Sequence, residues 1–101
     1  MQTVMIGGNE YALRCDLNAY EEILGRYGSI EEAVKVGDDT AENLQRIKFL
    51  TAVFMSEHNA FVGDHKRFTE AEIGRMMVPG EQNAVYRKLI ETINEAFAPK
   101  N

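Results

Sequence analysis

The chain has few of the residues on which many enzymes and exported proteins depend. Cys15 is its one cysteine, so no disulfide can form within the chain and no oxidising compartment is needed. Its serines, Ser29 and Ser56, stand outside the Gly-x-Ser-x-Gly context of a hydrolase nucleophile. The sequence has no apolar run of membrane-spanning length, and its start lacks the basic and apolar segments of a secretory signal. We therefore expect a cytoplasmic protein.

Basic residues are few and scattered. The chain has 11 lysines and arginines against 16 aspartates and glutamates, which gives a net charge of -5. Its adjacent basic pairs are Lys66-Arg67 and Arg87-Lys88. Nucleic-acid binding depends on clustered neutralisation of phosphates, so we expect no nucleic-acid partner. A length of 101 residues with 27% charged residues predicts one soluble domain over residues 1–101.

A β-hairpin is predicted at the start of the chain. Residues 3–6 and 10–14 are short runs rich in Val, Ile and Tyr, and Gly7-Gly8-Asn9 between them tolerates the positive φ angles of a tight turn. Alternation places the apolar side chains of each run on one face: Val4 with Ile6, and Tyr11 with Leu13. Since a lone hairpin is not stable, the hairpin (residues 1–15) is expected to cover a helical part (residues 18–98).

Paired capping residues mark the predicted helix starts. Each pair places a capping side chain three residues before a glutamate, an arrangement that satisfies otherwise unpaired backbone N–H groups. The pairs are Asn18 with Glu21, Ser29 with Glu32, Asp39 with Glu42, and Thr69 with Glu72. Gly28 and Gly37 stand where the first two helices are expected to end, because glycine adopts the left-handed conformation at the least cost.

The third and last helices carry most of the apolar residues. The third, predicted over residues 41–58, is apolar around almost its whole circumference, which is typical of a buried helix or of one at an interface. The last, predicted over residues 82–97, is amphipathic and should pack on the third. A short helix over residues 69–77 lies between them. The predicted fold is α+β and mostly α, an N-terminal β-hairpin followed by a bundle of about four to five helices.

The spacing of the reactive side chains does not favour a catalytic or metal site. The residue after Cys15 is an acid and no histidine is near it in sequence, so formation of a thiolate is disfavoured. His58 and His65, with Glu57 and Asp64 beside them, match no zinc spacing and fit a helix end and a solvated loop better. We expect no enzymatic activity, no catalytic residue, no cofactor and no bound metal.

The surplus of apolar residues predicts protein binding. A domain of this size has difficulty covering a helix that is apolar on all sides, and flexible methionine side chains suit surfaces that adapt to a partner. We therefore expect association, either with another protein or as a homo-oligomer. The partner-binding candidates are Phe49, Val53, Met55, Met76 and Met77.

Nearly the whole chain resembles a known family in the order of its segments. The stretch YALRCDLNAYEEILGRYGSIEEAV follows the Gly-Gly turn and combines DLNA, an acidic helix, an aromatic-Gly break and a second S-x-EEA helix. A long apolar helix (NLQRIKFLTAVFMSEHNAF), the segment FTEAEIGRMM and a closing amphipathic helix follow. This order resembles the tail assembly chaperones of long-tailed bacteriophages.

The resemblance implies a non-enzymatic role in virion construction. Such proteins bind the tape-measure protein in the host cytoplasm, keep it soluble, help to recruit tail-tube subunits, and are absent from the mature virion. Many are made in two lengths, the longer by ribosomal slippage near the end of the short reading frame. The C-terminal residues AFAPKN permit slippery codons at that place.

A second class of binding protein remains open. A small acidic adaptor or inhibitor would use its negative charge to occupy a nucleic-acid-binding partner. A negative patch focused on one face would favour the adaptor, whereas carboxylates distributed over helix starts favour the chaperone.

Overall fold

A computed structural model describes residues 1–99, and the last two residues of the predicted slippage segment, Lys100 and Asn101, lie outside them. The described residues form a β-hairpin followed by five α-helices, which confirms the predicted α+β, mostly α class. No helix among them is long and apolar enough to cross a membrane. The elements are β1 (Gln2–Ile6), β2 (Asn9–Leu13), α1 (Leu17–Tyr27), α2 (Ile30–Val34), α3 (Thr40–Phe61), α4 (Glu70–Met76) and α5 (Gln82–Phe97), with a 3-10 turn at Pro79–Glu81.

The hairpin closes on a two-residue turn and lies over the helices. Gly7 and Gly8 both have positive φ, 58° and 85°, as a type I′ turn requires. The strands pair antiparallel from Gln2 opposite Leu13 to Ile6 opposite Asn9. Their inner side chains are buried or half-buried: Val4, Ile6, Tyr11 and Leu13. β1 packs on α5 and β2 packs on α3, so the ribbon closes one side of the core as predicted.

Helix α3 is the centre of the fold. It contacts β2 and the helices α1, α2, α4 and α5, and every residue from Leu50 to Glu57 is buried. Buried hydroxyls are paired: Thr51 donates to the carbonyl of Ile47 at 2.7 Å, and Ser56 accepts from the N–H of Phe68 at 2.8 Å. The apolar circumference of α3 therefore reflects burial by its own chain.

Of the four predicted N-caps, three are confirmed and the one at Asn18 is wrong. Ser29, Asp39 and Thr69 accept from the backbone N–H three residues on, and Thr69 with Glu72 forms a full capping box. Helix α1 starts before Asn18, because Asp16 has the extended backbone of an N-cap and accepts from the N–H of Ala19 at 2.9 Å.

The two predicted glycine ends differ in outcome. Gly28 ends α1 in the left-handed conformation, with φ 81°, as predicted. Helix α2 ends earlier than Gly37, at Val34, because Lys35 already has extended backbone. Gly37 instead lies in the loop before α3, where its N–H donates to Oδ1 of Asn43 at 2.9 Å.

Alanine substitution at two glycines, one inside α1 and one at its end, should change the free energy of unfolding in opposite directions. At Gly28 the left-handed backbone strains any Cβ, so Gly28→Ala should lower the free energy of unfolding by about 1 kcal/mol. At Gly25, inside the helix, an added Cβ meets nothing within 4 Å, so Gly25→Ala should raise it by about 0.5 to 1 kcal/mol. Urea unfolding followed by far-UV circular dichroism measures both, and changes of the same sign would contradict the assigned end of α1.

Candidate functional site

The structure divides the predicted partner-binding residues between core and surface. Val53 is 4% exposed and Met55 is 1% exposed, so neither is available to a partner in the folded chain. The physical reason is that α3 is surrounded by the hairpin and the other helices. Phe49, Met76 and Met77 are half-buried against the same core.

Two of the half-buried candidates, Phe49 and Met77, lie in different places. Phe49 packs edge-on against Tyr27, with ring centres 5.5 Å apart, and the guanidinium of Arg26 lies 4.9 Å from its ring centre. Met77 lines a separate cleft of about 250 Å³ between α3 and α4. The candidates are thus mainly packing residues, and the more exposed apolar surface lies elsewhere.

Part of that surface lies between α1 and the end of α5, and we call this part the α1/α5 groove. Its apolar side chains are Leu17, Tyr20, Leu24, Ile30 and Phe97. Leu17 is 82% exposed and Phe97 is 51% exposed, although both are large apolar residues. Apolar side chains that remain in water at one place are typical of a binding surface.

The groove exists because α1 carries apolar residues on two sides. Ala19 and Ile23, one turn apart, are buried against the core. Leu17, Tyr20 and Leu24 follow the i, i+3, i+7 spacing of a separate stripe, which the fold leaves uncovered. Helix α5 completes the groove with its last residue.

Two adjoining clefts make up the groove. One, of about 420 Å³, is lined by Leu17 and Ala96, and the other, of about 430 Å³, by Leu24 and Ile30. Tyr20 and Phe97 line both, and their rings meet edge to face with centres 5.0 Å apart. This aromatic pair forms a ridge between the clefts, so an occupant would place apolar side chains on either side of it.

The charged side chains that line the groove are acidic, and a basic side chain pairs with one of them. Its charged lining residues among residues 1–99 are Asp16 and Glu31, both acidic. Asp16 is held by its capping bond to Ala19 and by Arg14, whose Nε lies 3.3 Å from Oδ2. Glu31 and Glu21 are exposed, and Glu21 lies on α1 beside the apolar stripe. The groove therefore combines an apolar floor with an acidic rim.

Cys15 borders the groove but has the wrong environment for a nucleophile. Burial, and to a lesser degree the charge of Asp16, raises the pKa of its thiol to about 11. Both effects disfavour the thiolate, which is the reactive form. The thiol of Cys15 is therefore protonated at neutral pH.

The reactivity of Cys15 should follow this raised pKa. Below pH 9 the folded chain should contain about a hundredfold less thiolate than the urea-unfolded chain, and its reaction with a disulfide reagent should be slower by about tenfold or more, because a more basic thiolate is also a better nucleophile. The rate should keep rising with pH to about 11. Asp16→Asn, which keeps a capping side chain, should lower the pKa only in part, because burial is the larger cause. A rate that levels off near pH 9 in the folded chain would contradict this environment.

The acidic neighbours of the two histidines have separate partners, whereas the buried Nδ1 of His58 has no hydrogen-bond partner within residues 1–99. Glu57 is buried and pairs with Arg67 at 3.1 Å, while Asp64 accepts from the backbone N–H of Lys66 at 2.9 Å. His65 is exposed in the loop before α4. Within residues 1–99, no three histidine, cysteine, aspartate or glutamate side chains come together as a metal site.

Comparison of the chain with protein-family models, with curated proteins and with solved structures finds no match.

The α1/α5 groove was not among the sites expected from the sequence. The signal that could have found it is the position of Leu17, Tyr20 and Leu24 on α1. Their spacing gives the helix a second apolar stripe, and an amphipathic helix with one buried side needs only one.

Proposed function

We propose that the protein is a non-enzymatic tail assembly chaperone of a long-tailed bacteriophage. It binds an amphipathic helical segment of the tape-measure protein in the host cytoplasm, helps to recruit tail-tube subunits, and leaves before the virion is complete. The observation that carries the proposal is the uncovered α1/α5 groove. The resemblance of the sequence supplies the identity of the partner.

The shape of the groove fits a helix. A helical partner presents apolar side chains at i, i+3, i+4 and i+7, and the aromatic ridge separates two clefts that such side chains can fill. Covering a fully exposed leucine or phenylalanine side chain gains about 1.5 to 3 kcal/mol before the costs of association are subtracted. Few side chains contribute, so the complex is weak and reversible, as release of the chaperone requires.

Charge at the rim selects the polar side of the partner. Glu21 and Glu31 are exposed beside the apolar stripe and make no ion pair within residues 1–99, so the bound helix carries lysine or arginine beside its apolar face. Rim charges mainly affect the association rate and its dependence on salt. The affinity should therefore fall modestly as salt rises, while the apolar contribution remains.

Co-expression tests the proposal. The tape-measure protein of the same phage is produced in bacteria with and without this chain, and its soluble fraction is measured after centrifugation. We expect most of it to be insoluble alone, and soluble and co-purifying when the chain is present. Equal solubility in both cultures, with no complex, would contradict the chaperone function.

The adaptor class has one observation in its favour. Exposed carboxylates collect around α2 and the start of α3: Glu31, Glu32, Asp38, Asp39 and Glu42. Arg46 is close to two of these residues, bonding the carbonyl of Glu32 and pairing with Glu42 at 3.9 Å. An adaptor would lose its partner when Glu32, Asp38 and Glu42 are neutralised to the matching amides, whereas a chaperone that uses the groove would not.

A further inference from the structure

The outer edge of β1 offers unpaired backbone groups. In a hairpin closed by a two-residue turn, Ile6 and Asn9 bond to each other, and the bonding alternates along the strands. The N–H and C=O groups of Thr3 and Met5 therefore point away from β2. Outside the hairpin ladder, no hydrogen bond within residues 1–99 reaches these groups, although Gly7 on the same edge donates to Glu81 at 2.9 Å.

This edge is one wall of a cleft, which we call the β1/α5 cleft. Its volume is about 360 Å³, and its residues are Thr3, Val4, Met5, Ala84, Val85, Arg87, Lys88 and Glu91. A strand edge beside a helix is a geometry that binds extended peptides, because the edge supplies backbone hydrogen bonds and the helix supplies contacts for alternate side chains.

The edge lacks the usual protection against pairing. β1 reads QTVMI, which has neither a charged residue nor a proline, and natural edge strands commonly carry one or the other. The helical wall carries basic charge. Arg87 is exposed and makes no ion pair within residues 1–99, while Lys88 lies 3.4 Å from Glu91. The lining of the cleft thus has a net positive charge of one, from Arg87 and Lys88 against Glu91, in a chain whose net charge is -5.

We propose that the β1/α5 cleft binds an extended, acidic segment of another protein as a third strand of the sheet. The segment pairs with the backbone of Thr3 and Met5 and places carboxylates near Arg87 and Lys88. This surface is separate from the α1/α5 groove, because Ala84, Lys88 and Glu91 lie on the side of α5 opposite Phe97 at 100° per residue. Both surfaces can be occupied together.

A second copy of the chain fits the cleft less well than an acidic segment. Gln2 lies against Lys88 and Gly7 against Glu81, so β1 runs antiparallel to α5 with its middle near Arg87 and Lys88. Pairing β1 with itself about a two-fold axis would bring the basic pairs of both copies together. Their repulsion, and the absence of charge on β1, favour an acidic partner.

Selection from a displayed library of random short peptides tests the proposal on the full chain. We expect the enriched peptides to be rich in aspartate and glutamate alternating with β-branched residues. A synthetic peptide of the enriched sequence should protect the Thr3 and Met5 amides from hydrogen exchange. Its affinity should fall about tenfold or more when lysine replaces its acids. No enrichment, or enrichment without acidic residues, would overturn the proposal.

Matched variants locate the binding. Thr3 and Ala12 face each other in the hairpin, so Thr3→Pro and Ala12→Pro perturb the same pair, but only Thr3→Pro removes a donor from the β1 edge. We expect Thr3→Pro to weaken binding about tenfold or more and Ala12→Pro to leave it unchanged. Arg87→Glu, an exposed change, should also weaken it. Equal binding by all variants would overturn the proposal.

Leu17→Glu in the α1/α5 groove should not change the affinity for this peptide, so the test is independent of the chaperone function.

Discussion

Phe54→Ala is expected to lower the free energy of unfolding by about 3 to 5 kcal/mol, the range for removing a large buried side chain. Phe54 is 0% exposed and lies in the part of α3 that other elements surround. Its carbonyl also accepts the N–H of Arg14 at 3.1 Å, which ties the end of the hairpin to α3. Small domains have about 5 to 15 kcal/mol of stability in total, so this change should remove a large share. Urea unfolding measures it.

Phe97→Ala is the matched control for this experiment. It removes the same side chain from a half-exposed position, where the main contact is the edge of Tyr20. The expected loss is about 1 kcal/mol or less. A similar cost for both phenylalanines would show that α3 is not the centre of the fold.

The double variant Leu17→Glu, Leu24→Glu is expected to weaken binding of the tape-measure segment about a hundredfold, equivalent to about 2.7 kcal/mol. A bound apolar side chain would have to desolvate the new carboxylates, which also lie at an acidic rim. Stability should fall only modestly: Leu17 is 82% exposed in the first turn of α1, where negative charge is favourable, whereas Leu24 is 39% exposed in the last turn, where it is unfavourable. Calorimetric titration measures the affinity, and urea unfolding measures the stability.

Val36→Glu provides the comparison for this loss of binding. Val36 is 69% exposed in the loop between α2 and α3, away from the groove. Its replacement by glutamate is therefore a similar apolar-to-acidic change at the surface. It should bind the segment like the unchanged chain. Equal losses in both variants would assign the effect to added negative charge and not to the groove.

Local signals in the sequence predicted most of the fold. Each of the correctly predicted features depends on a few neighbouring residues. These features are the bounds of α5, the Gly7-Gly8 turn, and the caps at Ser29, Asp39 and Thr69. The start of α1 could not be chosen in this way. Asp16 and Asn18 are equally good capping types, and the choice depends on the burial of Ala19 and Ile23 and on the bond from Arg14 to Asp16.

The binding surface could not be predicted from apolar identity alone. Val53 and Met55 have the residue types of an adaptable interface, but the chain folds its own hairpin and helices over them. Leu17 and Leu24 look like ordinary core residues of an amphipathic helix, and they are exposed because Ala19 and Ile23 already occupy the core side of α1. Contacts between distant segments decide which apolar stripe remains uncovered.

The most direct test of the chaperone function is an NMR titration of the isotope-labelled chain with synthetic helical segments of the tape-measure protein. The groove predicts that one segment shifts the amide signals of Leu17, Tyr20, Leu24 and Phe97, with the signals around Leu44 and Met77 unchanged. Shifts confined to the cleft at Leu44 and Met77, or no shift with any segment, would contradict the assignment of the α1/α5 groove as the tape-measure site.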